Sequence, residues 1–311
     1  MNSDAGKLNQ GWIYCDRVHS GTAGRSVLDF YTRYYPHSSQ EVWRQRIEAG
    51  LVRLDGRIAS ADDQLVAGQA LSYQRPPWRE PAVPGDWSVL YEDAAVLVVA
   101  KPAGLPVLPG GGFLEHTLWA LVGREYADEP APIHRLGRGT SGIVVFARSA
   151  RARRQLASDM RQGRLRKTYR ALASGIPTAD EFVVQEAIGR VFHPQLGFVY
   201  AAASEGKEAR TECRVLQRNG DALQTLVEAI IPTGRPHQIR IHLAAAGHPL
   251  VGDPLYGKGG VPILTAAGDR AALPGDCGYH LHAQQVRFIH PDSGAMVDIS
   301  CPPPEILSCR D

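Results

Sequence analysis

The apolar residues of this chain follow two different patterns, one before residue 75 and one after residue 88. In the first part, helical spacing predicts helices over residues 26–35 and 39–49, each beginning near a serine that can cap the helix N-terminus. A hairpin is predicted next, because residues 51–54 and 57–58 flank Asp55-Gly56, a strong turn signal. Residues 1–20 and 301–311 show neither pattern, and we expect them to be irregular.

In the second part, short apolar runs dominate. Strands are predicted over residues 96–100, 143–147, 225–231 and 283–289, where β-branched and aromatic residues cluster. One helix is predicted over residues 150–160, with Leu156 and Met160 one turn apart on its inner face. The mixture predicts the α+β class: a mostly antiparallel mixed sheet, preceded by a small α/β module.

Four prolines between residues 76 and 87 separate the two parts, because proline continues neither a helix nor a central strand. The predicted organisation is an N-terminal extension over residues 1–21, a module over 22–75, a linker over 76–87 and a larger domain over 88–305. A chain of 311 residues is long enough to give both parts a buried core.

Composition places the chain among soluble globular proteins. No apolar run is long enough to cross a bilayer, and residues 1–6 do not resemble a signal peptide, so a cytoplasmic location is expected. The five scattered cysteines predict free thiols. Histidines are plentiful, but no pair has a zinc-protease spacing, and we expect no metal site.

Charge is unevenly distributed, although the formal net charge is only +2. Residues 148–170 contain nine lysines or arginines and one acid, Asp159. A solvated helix face usually mixes both signs, whereas a dense cluster of one sign attracts polyanions through phosphate contacts. The cluster favours a nucleic acid as partner over an ordinary surface helix.

The segment from His134 to Gly142 reads His-Arg-Leu-Gly-Arg-Gly-Thr-Ser-Gly. Gly137, Gly139 and Gly142 satisfy the spacing of a dinucleotide-binding turn, but such a turn needs a strand before it and a helix after it. Here the order is reversed, because the run that follows is β-branched and aromatic. A nicotinamide or flavin site is therefore disfavoured.

The same segment resembles the signature loop of the RluA-type pseudouridine synthases, His-Arg-Leu-Asp-x-x-Thr-Ser-Gly, in which the aspartate is the catalytic nucleophile. Further blocks resemble that family in the same order over about residues 88–305. They are Lys101-Pro102-Ala103-Gly104-Leu105, Lys167-Thr168-Tyr169-Arg170-Ala171, residues 233–242 (Thr-Gly-Arg-Pro-His-Gln-Ile-Arg-Ile-His), residues 247–257 and Leu281-His282-Ala283. Position 100, commonly Asn, is Ala100, and the aspartate position is Gly137.

The resemblance implies conversion of uridine to pseudouridine in ribosomal or transfer RNA, by a monomer without cofactor. By carry-over, Arg135 occupies the gap left by the flipped nucleotide, Tyr169 packs on the uracil and Arg240 pairs with the catalytic aspartate. The further RNA-binding candidates are Arg138, Arg235, His237, Arg151 and Arg154.

Residues 22–75 resemble the small alpha-L RNA-binding module of ribosomal protein S-four, which is appended to many pseudouridine synthases. In that module the second helix and the hairpin face RNA, which implicates Arg44, Arg46, Arg53 and Arg57. The alternative for each of them is an ordinary surface arginine.

Gly137 leaves two hypotheses open. In the first, the chain is a synthase in which another group replaces the aspartate, with Asp253 and Glu228 as candidates. In the second, it is an inactive RNA-binding protein, such as a folding or assembly chaperone. Because an unpaired buried charge costs about 3–5 kcal/mol, Arg240 needs a new partner or water. We expect a small void beside Arg240, roomy enough for ordered water. A side chain that fills it from elsewhere would identify the substitute acid, and a carboxylate there would favour the first hypothesis.

Overall fold

The computed structural model describes residues 7–264, 266 and 269–309. Two compact units are present, and the boundary between them falls between Glu80 and Pro81. This boundary lies within the Pro-rich segment that the sequence marks as a linker.

The first unit combines two helices with a four-stranded sheet. Its elements are β1 (Trp12–Arg17), α1 (Val27–Tyr34), α2 (Gln40–Glu48), β2 (Val52–Leu54), β3 (Arg57–Ile58) and β4 (Ala70–Arg75), with sheet order β1-β4-β2-β3. Ser26 and Ser39 cap the two helices by accepting from the backbone N–H groups three residues on. Asp55 and Gly56 both have positive φ, as a tight hairpin turn requires.

One expectation for this unit was wrong: residues 12–17 are not irregular but form β1, which pairs with β4 over its whole length. Most of its side chains are exposed, so the strand is held mainly by backbone hydrogen bonds and shows no inward-facing apolar alternation. The predicted helices and the hairpin are confirmed.

The second unit is built on one large sheet. Its elements are β5 (Ser88–Glu92), β6 (Val96–Lys101), α3 (Leu118–Glu125), β7 (Ala131–Pro132), β8 (Ser141–Ala147), α4 (Ala150–Arg161), β9 (Arg166–Ser174), β10 (Glu181–Val184), β11 (Ile188–His193), β12 (Gly197–Ala202), β13 (Thr211–Asn219), β14 (Gln224–Ile230), α5 (Gln238–Ala245), β15 (Leu281–Ile289) and β16 (Met296–Ser300). A short 3-10 helix, Glu305–Leu307, lies near the C-terminus.

The main path of the sheet runs β10-β13-β14-β9-β15-β8-β6-β5, with β7 and β16 pairing at its side and β11-β12 forming a separate ribbon. Every pairing is antiparallel except that of β15 with β8. The predicted strands and helix α4 are confirmed. Apolar residues cover both faces of the sheet, so that β6 and β8 are buried almost throughout.

Candidate active site

The loop between β7 and β8 contains residues 134–140 and is fixed to the turn that follows β6. The buried ammonium of Lys101 donates to the carbonyls of Pro102 and Leu105 at 2.8 and 2.7 Å, and to that of Arg138 at 3.3 Å. The backbone N–H of Gly104 also donates to the carbonyl of Arg138, at 2.7 Å. Hydrogen bonds thus join the turn at residues 101–105 to the loop at residues 134–140, although the two are distant in sequence.

A glycine is required where this loop enters the sheet. Gly142 has φ +104°, and a β-carbon on it would lie 2.2 Å from the carbonyl oxygen of Ala283. Only glycine permits this close approach of β8 to its parallel neighbour β15. The loop is therefore anchored to the central strand of the sheet.

A cavity of about 460 Å³ opens beside the loop. Its lining comprises His134, Arg135, Met160, Arg161, Lys167, Tyr169, Ile231, Pro232, Thr233, Gly234 and Arg235. Burial alternates along β9, so Lys167 and Tyr169 share the buried face of that strand and reach the cavity together. The end of α4, strand β9 and the segment before α5 thus converge with the loop on one space.

The electrostatics of the cavity favour a ligand that carries phosphate. Burial lowers the pKa of Lys167 to about 8. Burial, with the charge of Lys167 as a second cause, lowers the pKa of His134 to about 3. Burial also raises the pKa of Tyr169 well above its usual range. The described lining includes four basic side chains and no acid.

Arg240, at the start of α5, lies in a fully paired site. Its Nε and Nη2 donate to the two carboxylate oxygens of Asp253 at 2.7 and 2.8 Å, and its Nη1 donates to the carbonyl of Pro274 at 3.1 Å. Both side chains of the ion pair are at most 2% exposed. The rings of Tyr256 and Tyr279 also stack on the guanidinium, with centroids 4.9 and 4.2 Å away.

Of the two substitutes considered for the carboxylate, Asp253 pairs with Arg240, whereas Glu228 pairs with Arg214 on the sheet. One Asp253 oxygen also accepts from the N–H groups of Leu255 and Tyr256. A carboxylate that is this deeply buried and accepts four hydrogen bonds, two of them from Arg240, serves to hold Arg240 in place.

The expected void beside Gly137 is absent: a β-carbon built there would lie 2.8 Å from the hydroxyl oxygen of Tyr279 and 3.4 Å from Oγ1 of Thr140. Gly139 faces the same ring, because a β-carbon on it would lie 3.0 Å from two ring atoms of Tyr279. The prediction failed because Tyr279 is more than 140 residues away in sequence and reaches the loop only through the pairing of β15 with β8.

The other predicted RNA-binding residues of this unit lie in different settings. Arg135 and Arg235 line the cavity. Arg138 donates to the carbonyl of Gly275 at 2.7 Å. His237 contacts the Tyr256 hydroxyl through Nδ1 at 2.7 Å, and burial lowers its pKa to about 3.

Arg151 and Arg154 are exposed on α4, whose inner face buries Ala152, Leu156 and Asp159. The basic face of this helix therefore points to solvent.

In the first unit, the four implicated arginines are not equivalent. Arg46 stacks on Trp43 at 4.5 Å and donates to Ser38, so it is partly committed to packing. Arg57 pairs with Asp63 at 2.7 Å on the surface. Arg53 donates to the carbonyl of Gly56 in the hairpin turn, while Arg44 is half-buried on α2.

Sequence reasoning assigned no role to Lys167, Arg161 or Tyr279. Lys167 lies two residues before Tyr169 on a strand, so the period-two alternation could have placed it in the cavity. Arg161 belongs to the basic cluster of residues 148–170, whose charge density does not show which member reaches the cavity. No spacing rule links Tyr279 to position 137.

Among the described residues, no group of three or more histidines, cysteines or acids is placed to hold a metal ion. No helix in this part of the chain is both long and apolar enough for a membrane span. All five cysteines are free, as predicted.

Known proteins resemble this chain over most of its length. The profile of the RNA pseudouridylate synthase family matches residues 95–245. An uncharacterised RNA pseudouridine synthase of Synechocystis is 44% identical over 284 residues, 91% of this chain and 96% of that protein. The ribosomal large subunit pseudouridine synthase D of Xylella fastidiosa is 35% identical over 304 residues, 93% of this chain and 89% of that protein.

A solved human structure, RNA Pseudouridylate Synthase Domain Containing 1, has a TM-score of 0.57 at 25% identity, covering 74% of this chain and 89% of that one. This likeness confirms the predicted α+β fold class. With the match in sequence over almost the whole of the Synechocystis relative, it establishes that the chain belongs to the RNA pseudouridylate synthase family.

Proposed function

We propose that this protein isomerises uridine to pseudouridine in structured ribosomal RNA, by drawing the nucleotide out of its stack into the cavity beside residues 134–142. The observation that carries the proposal is the cavity itself, where the Tyr169 ring lies among basic side chains. The name of the Xylella relative, a ribosomal large subunit pseudouridine synthase, supports ribosomal RNA over transfer RNA.

Each part of the cavity suits one task of the reaction. A flipped nucleotide needs an aromatic face for its base and cations for its phosphates. Tyr169 supplies the face. Lys167, Arg161 and Arg235 supply the cations, and Arg135, exposed at the entrance, is placed to fill the gap left in the RNA.

The first unit has a proposed role as an alpha-L-like RNA-binding module. Arg44, Arg53 and Arg57 are its candidate phosphate contacts. Arg46 is a weaker candidate, because it already stacks on Trp43 and bonds Ser38.

The experiment is tritium release from ribosomal RNA that carries [5-³H]uridine and no prior modification, because forming the C5–C1′ bond expels the hydrogen at C5. We expect release by the natural protein. Tyr169→Phe should lower the rate about 100-fold or more if the hydroxyl takes part in proton transfer. Arg218→Gln is the matched control: Arg218 pairs with Asp180 and does not line the cavity, so its loss should leave the rate unchanged.

A second candidate is RNA binding without turnover, favoured by the absence of any acid among the described lining residues. The same assay decides between the two. Tight binding of the RNA with no tritium release and no pseudouridine, at any protein concentration, would refute the isomerase and leave the binding protein.

A further inference from the structure

Position 137 has no side chain because its space is occupied, and not because its backbone demands glycine. Gly137 is absent from the residues with positive φ, so its backbone conformation is open to any L-amino acid. The obstacle is the Tyr279 hydroxyl, 2.8 Å from where a β-carbon would stand. A hydroxyl group therefore lies where a short side chain on the loop would begin.

The Tyr279 hydroxyl is held in place by its surroundings. Tyr279 is 5% exposed, and its ring stacks on Arg240. Arg240 in turn donates two hydrogen bonds to Asp253. The hydroxyl itself lies 3.2 Å from Oγ1 of Thr140. Gly137, whose β-carbon position the hydroxyl adjoins, is itself exposed, so only one loop residue without a side chain stands at this point over the polar end of the buried ring.

We propose that Tyr279, which adjoins Gly137 and is not among the lining residues of the cavity, is the catalytic nucleophile of this protein. With the uracil in the cavity and the ribose over exposed Gly137, the Tyr279 hydroxyl oxygen attacks C1′ of the flipped uridine; this inference rests on the proposed isomerase function. As the O–C1′ bond forms, the N1–C1′ bond breaks and the phenolic proton passes to the departing uracil, where it ends on N1. After the ring turns, C5 bonds to C1′, the tyrosyl oxygen leaves, and the proton from C5 restores the phenol. The net change is an isomerisation that consumes no other reactant.

The environment of the hydroxyl suits this cycle. Burial raises the pKa of Tyr279 while the charge of Arg240 lowers it, and the balance is a raised pKa, so the phenol keeps its proton at neutral pH. The guanidinium over the ring then stabilises the negative charge that develops when the oxygen loses its proton to uracil.

The test compares Tyr279→Phe with Tyr256→Phe in the tritium-release assay. Both variants keep a ring stacked on Arg240 and lose one hydroxyl; that of Tyr256 contacts His237 and the carbonyl of Tyr200, and that of Tyr279 contacts Thr140. We expect Tyr279→Phe to lower kcat by 100-fold or more with little change in KM, and Tyr256→Phe to lower it less than tenfold. Equal losses in the two variants, or a Tyr279→Phe rate within threefold of the natural protein, would overturn the inference.

A second variant distinguishes loss of the nucleophile from damage to the fold. Removing the Tyr279 hydroxyl makes room at position 137, so Gly137→Asp combined with Tyr279→Phe should recover at least tenfold over Tyr279→Phe alone. No recovery, in a double variant that binds RNA as tightly as the natural protein, would count against a nucleophile at this place. Silence of the natural protein itself refutes the proposed function, whereas activity that survives in Tyr279→Phe refutes only the role of Tyr279.

Discussion

The ion pair of Arg240 and Asp253 shows how one residue can organise a region. Each side chain is almost fully buried, and the carboxylate accepts two bonds from the guanidinium and two from backbone N–H groups. Removing one partner leaves a buried charge without compensation, which is far more costly than losing an exposed pair.

We therefore expect Asp253→Ala to lower the free energy of unfolding by about 3–5 kcal/mol. Glu228→Gln, which disrupts a pair whose arginine is largely exposed, should cost at most about 1 kcal/mol. Urea denaturation followed by tryptophan fluorescence measures both. Similar losses in the two variants would show that the Arg240 pair is not a buried ionic contact.

The lowered pKa of Lys167 should make the proposed RNA binding dependent on pH. Its pKa in the cavity is about 8, below its ordinary value, so the ammonium is charged below pH 8 and neutral above it. A phosphate ligand should bind more weakly as the pH rises from 7 to 9, and the slope of log K against log salt should fall in magnitude by about 1.

Filter binding at several salt concentrations measures this slope, and Lys167→Met serves as the reference. The variant should show the shallow slope at both pH values. A variant that keeps the full pH dependence would place the titrating group elsewhere.

Single residues were predicted from sequence where their role is local or carried by a motif. Asp253, the partner of Arg240, was one of two acids that the sequence offered as substitutes, the other being Glu228. Only the folded structure shows which of the two lies beside Arg240. The void beside Gly137 could not be judged from sequence, because Tyr279 reaches the loop through a contact between residues more than 140 positions apart.

Helix α4 presents its basic residues, which are part of the cluster at 148–170, on its exposed side. Ser149 caps it, its inner face buries Leu156 against the sheet, and its arginines therefore face outward. Its last turn brings Arg161 to the cavity, so the basic face is continuous with the proposed site.

Arg151→Gln with Arg154→Gln should weaken RNA binding and reduce the magnitude of the salt slope by about 2, one for each lost phosphate contact. The melting temperature should change little, because both side chains are exposed. Arg218→Gln again provides the control, as it removes a charge from β13 that does not line the cavity, and it should leave the slope unaltered. An unchanged slope in the double variant would show that Arg151 and Arg154 contact solvent and not RNA phosphates.

Some of the elements were predictable, because caps, turns and apolar runs act over a few residues, whereas helices α3 and α5 were not predicted. Helices α1, α2 and α4 and strands β6, β8, β14 and β15 were all expected within a few positions. Strand β1 was missed because its side chains are mostly exposed, and what defines it is pairing with β4, some 58 residues later.

On the scale of the whole molecule, each unit has its own core. One apolar cluster is drawn entirely from residues 18–73, and two clusters that cover the large sheet are drawn from residues 95–301. A unit that buries its own apolar residues has the means to fold alone.

Accordingly, residues 81–311 should unfold cooperatively when produced without the first unit, and should bind RNA more weakly than the full chain. Thermal melting followed by circular dichroism tests the first point and filter binding the second. A broad, non-cooperative melt would show that the large domain depends on residues before 81. Equal affinity would remove the proposed RNA-binding role of the first unit.

Strand β15 lies between β9 and β8 in the sheet, although it is the last of the three in the chain. As the ribosome makes the protein from its N-terminus, β8 and β9 emerge long before the strand that joins them, and each presents an unpaired edge in the meantime. Tyr279 arrives at the loop only with that strand. The proposed catalytic pocket can therefore be complete only after β15 has been made, and we expect a nascent chain to stay inactive until β15 has entered the sheet.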